Sequence, residues 1–128
     1  MRIILADDSD LILDRLQEML CVYSTAEIVA SLKNGTEALA AIRTMEPDLV
    51  ILDIDMPGLT GLQVLKEIRK EKKNNIPKFI ILTLYSSVYY REMAIAAGAD
   101  YFFSKADDFE KIGEVVGGMI GEDVTRRT

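Results

Sequence analysis

The chain has no histidine and only one cysteine, Cys21, among its 128 residues. Without imidazole there is no Ser-His-Asp or Cys-His scheme of nucleophilic catalysis. Zinc and haem centres lose their usual ligands as well. A single thiol admits no internal disulfide, and the place of Cys21 on an apolar helix face predicts a reduced, buried side chain in a cytoplasmic protein. Basic residues are outnumbered, 15 Lys and Arg against 21 Asp and Glu, for a formal charge of -6. Affinity for polyanions rests on clustered cations, so direct nucleic-acid binding by this domain is not expected. No apolar run approaches the length of a membrane span, and the N-terminus lacks the basic-then-apolar layout of a signal peptide, so no membrane association is expected either. Repeats, low-complexity tracts and interdomain linkers are also missing.

What is present is an alternation. Five short apolar runs, near Ile3–Ala6, Ile28–Ser31, Leu49–Asp53, Phe79–Thr83 and Asp100–Ser104, interleave with five stretches of helical period. That is the pattern of an α/β domain with a parallel sheet, and continuous rather than alternating apolarity predicts strands covered on both faces. The first helix is expected to start at a Ser9 or Asp10 cap and to turn Ile12, Leu16, Met19 and Leu20 inward. The second follows Asn34-Gly35, buries Ala38, Leu39 and Ile42, and stops before Pro47. The third covers about 61–72, with Val64, Leu65 and Ile68 inward and Lys66, Glu67, Arg69 and Lys70 outward. The fourth covers about 87–97 and ends at a Gly98 C-cap. The fifth starts near Asp107 or Asp108 and aligns Phe109, Ile112, Val116, Met119 and Ile120, with Gly113, Gly117 and Gly118 weakening it. The domain is expected to span 1–122, with a polar loop over 70–75 and a frayed C-terminal tail over 123–128.

Polar residues punctuate the ends of these runs. Asp7 and Asp8 follow the first, Asp53 ends the third, Thr83 ends the fourth and Lys105 follows the fifth. Parallel strands would bring all of them to one edge of the sheet, where α/β proteins place ligand sites. Taken singly, Asp7 and Asp8 read as helix caps, Asp53 as turn chemistry, Thr83 as a strand residue and Lys105 as a solvated lysine. Their coincidence at one edge points instead to a magnesium-dependent phosphoryl site. The carboxylates supply hard oxygen ligands, Lys105 a fixed positive charge and Thr83 a hydroxyl donor.

The acidic pair Asp7-Asp8, the segment Leu52-Asp53-Ile54-Asp55-Met56-Pro57-Gly58 with Gly61 following, Thr83, the Ala97-Gly98-Ala99-Asp100 turn and Phe103-Ser104-Lys105 together resemble the CheY-like receiver domain of a two-component response regulator. The resemblance spans Ile3 to about Ile120. It implies a doubly wound, flavodoxin-like five-stranded parallel sheet of order 2-1-3-4-5. It further implies a phosphoacceptor signalling domain, not an enzyme, that assists its own phosphorylation and dephosphorylation. By position Asp53 resembles the phosphoacceptor, Asp8 the direct magnesium ligand, Asp7 a ligand through water and the main-chain carbonyl of Asp55 a further ligand. Thr83 and Lys105 match the phosphate-contacting residues, and Phe102 the aromatic switch paired with Thr83. The implied donor is a phosphohistidine on a histidine kinase or histidine phosphotransfer protein. The implied output is a downstream protein or effector domain engaged through the fourth helix, fifth strand and fifth helix, a face also suited to a homodimer. With no effector domain in the chain, a stand-alone receiver is slightly preferred to an excised one.

Four positions depart from the family's habits. Ala106 follows the lysine where Pro, frequently after a cis peptide, is common, which leaves the Lys105–Ala106 peptide open between trans and strained cis. Leu84 stands where many members carry a small residue, where it would crowd the site; the switch is Phe rather than Tyr; and Asp55 adds a negative charge. Near the fourth helix, Tyr89 and Met93 are expected to pack into the core, while Tyr85, Tyr90 and Arg91 are interface candidates. Asp53-Ile54-Asp55 also resembles the nucleophile motif of haloacid-dehalogenase-like phosphatases, in which the second carboxylate is a general acid. A flavin carrier of the same topology would need a Ser/Thr/Gly-rich phosphate loop where Asp7-Asp8-Ser9-Asp10 stands.

Overall fold

The computed structural model describes residues 1–71, 76–85 and 87–126, with the backbone alone for 122–126. Its elements are β1 (Arg2–Ala6), α1 (Asp10–Leu20), β2 (Glu27–Leu32), α2 (Gly35–Met45), β3 (Leu49–Leu52), α3 (Gly61–Lys70), β4 (Lys78–Thr83), α4 (Val88–Ala97), β5 (Tyr101–Ser104) and α5 (Lys111–Arg126). The strands form one parallel sheet in the order β2-β1-β3-β4-β5, as the resemblance implies.

Successive residues of β1 and β3 are buried because helices cover both faces. Ile4, Val50, Leu52, Phe79 and Ile81 pack on α2, α3 and α4 through Ala38, Leu39, Ile42, Val64, Leu65 and Ala94. Ile3, Leu5, Leu49, Ile51, Ile80 and Leu82 pack on Leu13, Leu16 and Leu20 of α1 and Ile112 and Val116 of α5. Each such aliphatic side chain contributes roughly 1.5–3 kcal/mol by leaving water. The edge strand β2 is only half-covered, so its middle residues are less buried than continuous apolarity suggests.

Local chemistry sets the helix starts. Ser9, Asn34, Thr60 and Ser87 each accept a backbone N–H from the first turn of α1, α2, α3 and α4, and Gln63 returns the bond to Thr60. α4 ends at Gly98, whose φ of 109° lies in the left-handed region. In α1 the inward face includes Leu13, while Ile12 and Met19 are half-buried.

Several expectations are corrected. Cys21 is exposed, because it caps the C-terminal end of α1 beyond the buried face and donates its thiol to the Glu18 carbonyl at 3.0 Å. Arg69 turns back over the sheet edge instead of outward, because carbonyls and a carboxylate collect its guanidinium there. Tyr89 is exposed and Tyr90 half-buried against the core, the reverse of the expected pair, because α4 faces the sheet with residues 90, 93 and 94; Met93 packs as expected. α5 begins at Lys111, and its helix continues to Arg126, through part of the segment read as a tail; residues 127–128 and the 72–75 part of the polar loop lie outside the described residues.

Candidate functional site

The sheet register brings the polar residues together. Ala6 lies opposite Leu52, so Asp7 and Asp53 are the next residues of adjacent strands. The Asp53 amide donates to the Ala6 carbonyl at 3.0 Å, extending the ladder one step past β3. Thr83 lies opposite Ser104, and the Lys105 amide donates to the Thr83 carbonyl at 2.9 Å. Strand alternation places positions 7, 53 and 105 on the parity of the α1–α5 face, so three side chains converge from three strands. Gly61 permits the close approach of α3 to this edge, since a Cβ there would sit 2.0 Å from the Asp53 carbonyl oxygen.

Lys105 Nζ lies 2.8 Å from Asp7 Oδ2 and 2.9 Å from Asp53 Oδ2. Asp7 and Asp53 are 2 % and 4 % exposed, whereas Asp8 is open to solvent. Asp7 also accepts the Ser9 amide at 2.9 Å, and Asp53 Oδ1 accepts the Asp55 amide at 3.4 Å. Carboxylate oxygens of Asp7, Asp8 and Asp53 lie within 4.8 Å of one another. At an effective dielectric near 20, such neighbours repel by roughly 3 kcal/mol per pair.

One ammonium does not balance that charge, and the titration directions agree. Burial pushes the Asp7 carboxyl above its ordinary 3.8 against the pull of Lys105, with Asp53 adding repulsion. Burial opposes the Lys105 ammonium, but hydrogen bonds to Asp7 and Asp53 outweigh it and hold its pKa above 10.5. A group of three carboxylates with converging oxygens and surplus negative charge has the donor set a hard divalent cation takes.

Around this cluster is a cleft of about 530 Å³, bordered by Asp8, Ile12, Asp55, Thr83, Leu84 and Tyr85 among others. Thr83 is fully buried, and its Oγ1 accepts the Tyr85 amide at 3.1 Å, which leaves its own O–H proton available. Leu84 points into solvent at the border instead of crowding the carboxylates. Phe102 is buried in the α4-side core, with the Arg91 guanidinium 5.9 Å from its ring and Arg91 Nη1 donating to its carbonyl at 3.4 Å. No described peptide bond is cis, so Lys105–Ala106 is trans. The turn holds without proline because Ser104 Oγ accepts the Ala106 and Asp107 amides, while Asp108 accepts the Ser104 amide at 2.9 Å.

Two contributors escape a reading of the sequence. The turn built by Ser104 and Asp108 has a faint signal, since such side chains often bond nearby backbone. The bond from the Tyr85 hydroxyl to Asp55 Oδ2, at 3.3 Å, has none, because it joins residues thirty positions apart.

The profile of the response regulator receiver domain family matches residues 3–116. The chain is 34% identical over 115 residues to the uncharacterized transcriptional regulatory protein YvfU of Bacillus subtilis, covering 90% of this chain and 56% of that protein. It is 34% identical over 112 residues to the DNA-binding transcriptional activator EvgA of Escherichia coli K12, covering 88% and 53%. A crystal structure of a LuxR-family DNA-binding response regulator from Staphylococcus aureus superposes with a TM-score of 0.82 at 34% identity, covering 91% of this chain and 96% of that one. The chain thus spans about half the length of the curated relatives it matches. The phosphatase alternative finds no support among these matches. Among the described residues, no helix is long and apolar enough to cross a membrane.

Proposed function

The chain belongs to the response regulator receiver domain family, and from that premise we propose that Asp53 is its phosphoacceptor. The observation that carries the assignment is the position of Lys105 Nζ, between two buried carboxylates at a sheet edge where Thr83 also ends. An Asp53 oxygen attacks the phosphorus of a phosphohistidine on a histidine kinase or histidine phosphotransfer protein. The P–N bond breaks, its electron pair returns to the imidazole, and Asp53 becomes an acyl phosphate. Lys105, already charged and oriented, offers its ammonium to the phosphoryl oxygens, and the buried Thr83 hydroxyl has a proton to donate to them.

Asp8, Asp53 and the main-chain carbonyl of Asp55 would hold Mg2+, with Asp7 acting through water. When bound, that ion supplies the positive charge which a site with one lysine and three carboxylates lacks. The same residues serve hydrolysis of the acyl phosphate, so the domain assists both the gain and the loss of the group.

Thr83 and Phe102 form the proposed switch. A Thr83 hydroxyl drawn toward the phosphoryl group pulls on the Tyr85 amide it now accepts, and so on the start of α4. Phe102 already lies inward, and Arg91 links it to α4. The α4–β5–α5 face is the proposed output surface, for a homodimer or for an effector domain. Support for an effector comes from relatives described as transcriptional regulators and about twice as long as the matched region. Direct nucleic-acid contact by this acidic domain is not part of the proposal.

The test is incubation with magnesium and acetyl phosphate, followed by intact-mass measurement. One added phosphoryl group is expected on the wild type, none on Asp53→Ala, and none after chelation. Phosphate at another residue of the wild type would refute the assignment.

A further inference from the structure

Lys105 carries its ammonium on a flexible four-carbon stem, so where that charge stands depends on where the turn after β5 starts the stem. The preceding residue, Ser104, is tied into this turn through its amide, its carbonyl and its hydroxyl oxygen. The amide donates to Asp108 Oδ2 at 2.9 Å, and the carbonyl accepts the Asp108 amide at 2.9 Å. Ser104 Oγ accepts the amides of Ala106 at 3.2 Å and Asp107 at 3.3 Å. Ser104 is buried, and by strand alternation its side chain leaves the sheet on the Phe102 side, while Lys105 leaves toward Asp7 and Asp53. One oxygen therefore holds the two peptide units that follow the lysine, while the Lys105 amide is held by the Thr83 carbonyl at 2.9 Å. Without that oxygen, two part-buried N–H groups lose their acceptor, and the turn shifts to find them another.

We infer that Ser104 is a positioning residue for phosphoryl transfer, its hydroxyl oxygen fixing the turn that directs Lys105 into the space between Asp7 and Asp53. The inference rests on Lys105 serving the phosphoryl group, as proposed above. Both bonds to the Ser104 hydroxyl oxygen come from within the turn, so its effect on the reaction passes through the lysine. A charge aimed at the transition state loses much of its value when displaced by a fraction of a bond length, which makes the rate a sensitive gauge of the turn.

The experiment measures the rate of labelling by acetyl phosphate with magnesium in wild type, Ser104→Ala, Ser104→Cys, Ser104→Thr, Lys105→Met and the Ser104→Ala/Lys105→Met pair. Ser104→Ala should slow labelling about tenfold, the scale of a modest misplacement of a catalytic group. Ser104→Thr keeps the oxygen and should stay within about twofold of wild type, since the acceptor is preserved. Ser104→Cys keeps the volume but offers a weaker acceptor, so its rate should fall between those of wild type and Ser104→Ala. In the Lys105→Met background, Ser104→Ala should slow labelling no further, because no ammonium is left to position. A serine with a merely structural role would lower the rate by the same factor in both backgrounds. That multiplicative result, an unchanged rate in Ser104→Ala, or a Ser104→Thr as slow as Ser104→Ala would each overturn the inference while leaving the assignment of Asp53 and Lys105 standing. Lys105→Met labelling as fast as wild type, or wild type taking no label on Asp53, would instead sink that assignment and this inference with it.

Discussion

Charged side chains gather at both edges of the one sheet, and the two gatherings are balanced differently. At the carboxyl edge Lys105 faces Asp7 and Asp53 at 2.8 and 2.9 Å with Asp8 alongside, so negative charge is in surplus. At the amino edge Arg69 pairs with Asp100 at 3.1 Å, donates to the carbonyls of Gly98 and Pro77, and lies 4.9 Å from the Phe79 ring. Asp100 accepts the Phe79 amide at 2.8 Å as well. Both charges of that cluster are answered from within the chain, which ties α3 to the starts of β4 and β5. A saturated cluster is a fastening, whereas an unsaturated one is a site awaiting a partner.

Exchanging the roles of the two edges is the sharpest way to break this contrast. The largest effect is expected from Asp53→Ala, which should abolish labelling while shifting stability by no more than about 1 kcal/mol, since the lost pairing is offset by relieved repulsion. Intact mass and a urea titration measure the two quantities. Lys105→Met comes next, with labelling slowed about a hundredfold, the usual consequence of removing a charge-stabilising donor. It should also remove an alkaline limb of stability. Because the folded pKa of Lys105 is raised, its pairing stabilises fully below pH 10.5 and is lost as pH climbs through the higher folded value.

Arg69→Ala should do the opposite of Asp53→Ala. Folded protein should label at the wild-type rate, while urea unfolding shows a loss of about 2 kcal/mol from hydrogen bonds and ring stacking at a partly exposed site. The smallest effect belongs to Asp108, whose carboxyl is held below 3.8 by the Ser104 amide and then by Lys111. A depressed carboxyl contributes stability above its unfolded pKa and loses it as pH falls through the folded value. Asp108→Asn should therefore flatten the acid limb of a thermal-midpoint profile below pH 3.8 without altering labelling at neutral pH.

The sequence made the sheet and the site legible for one reason. Buried parallel strands show as unbroken apolar runs, and their polar successors Asp7, Asp53 and Lys105 inherit a common edge from the topology. Caps such as Ser9 and Gly98 were equally local and equally readable. The contacts that escaped are those made by long or exposed side chains between distant segments. Arg69 looked outward by helical period, but its reach lets the guanidinium fold back to Gly98 and Asp100. Cys21 followed an apolar face that ended one residue before it. Tyr89 and Tyr90 are neighbours in sequence, so only the rotation of α4 about its axis decides which is buried.

Calorimetric titration of the wild-type protein with magnesium bears most directly on the difference between the edges. One ion per chain should bind, Asp8→Asn should weaken that binding severely, and Arg69→Ala should leave it intact. Equal magnesium affinity in wild type and Asp8→Asn, or no measurable binding to the wild type, would show that the acidic edge is not the unsaturated cluster described above.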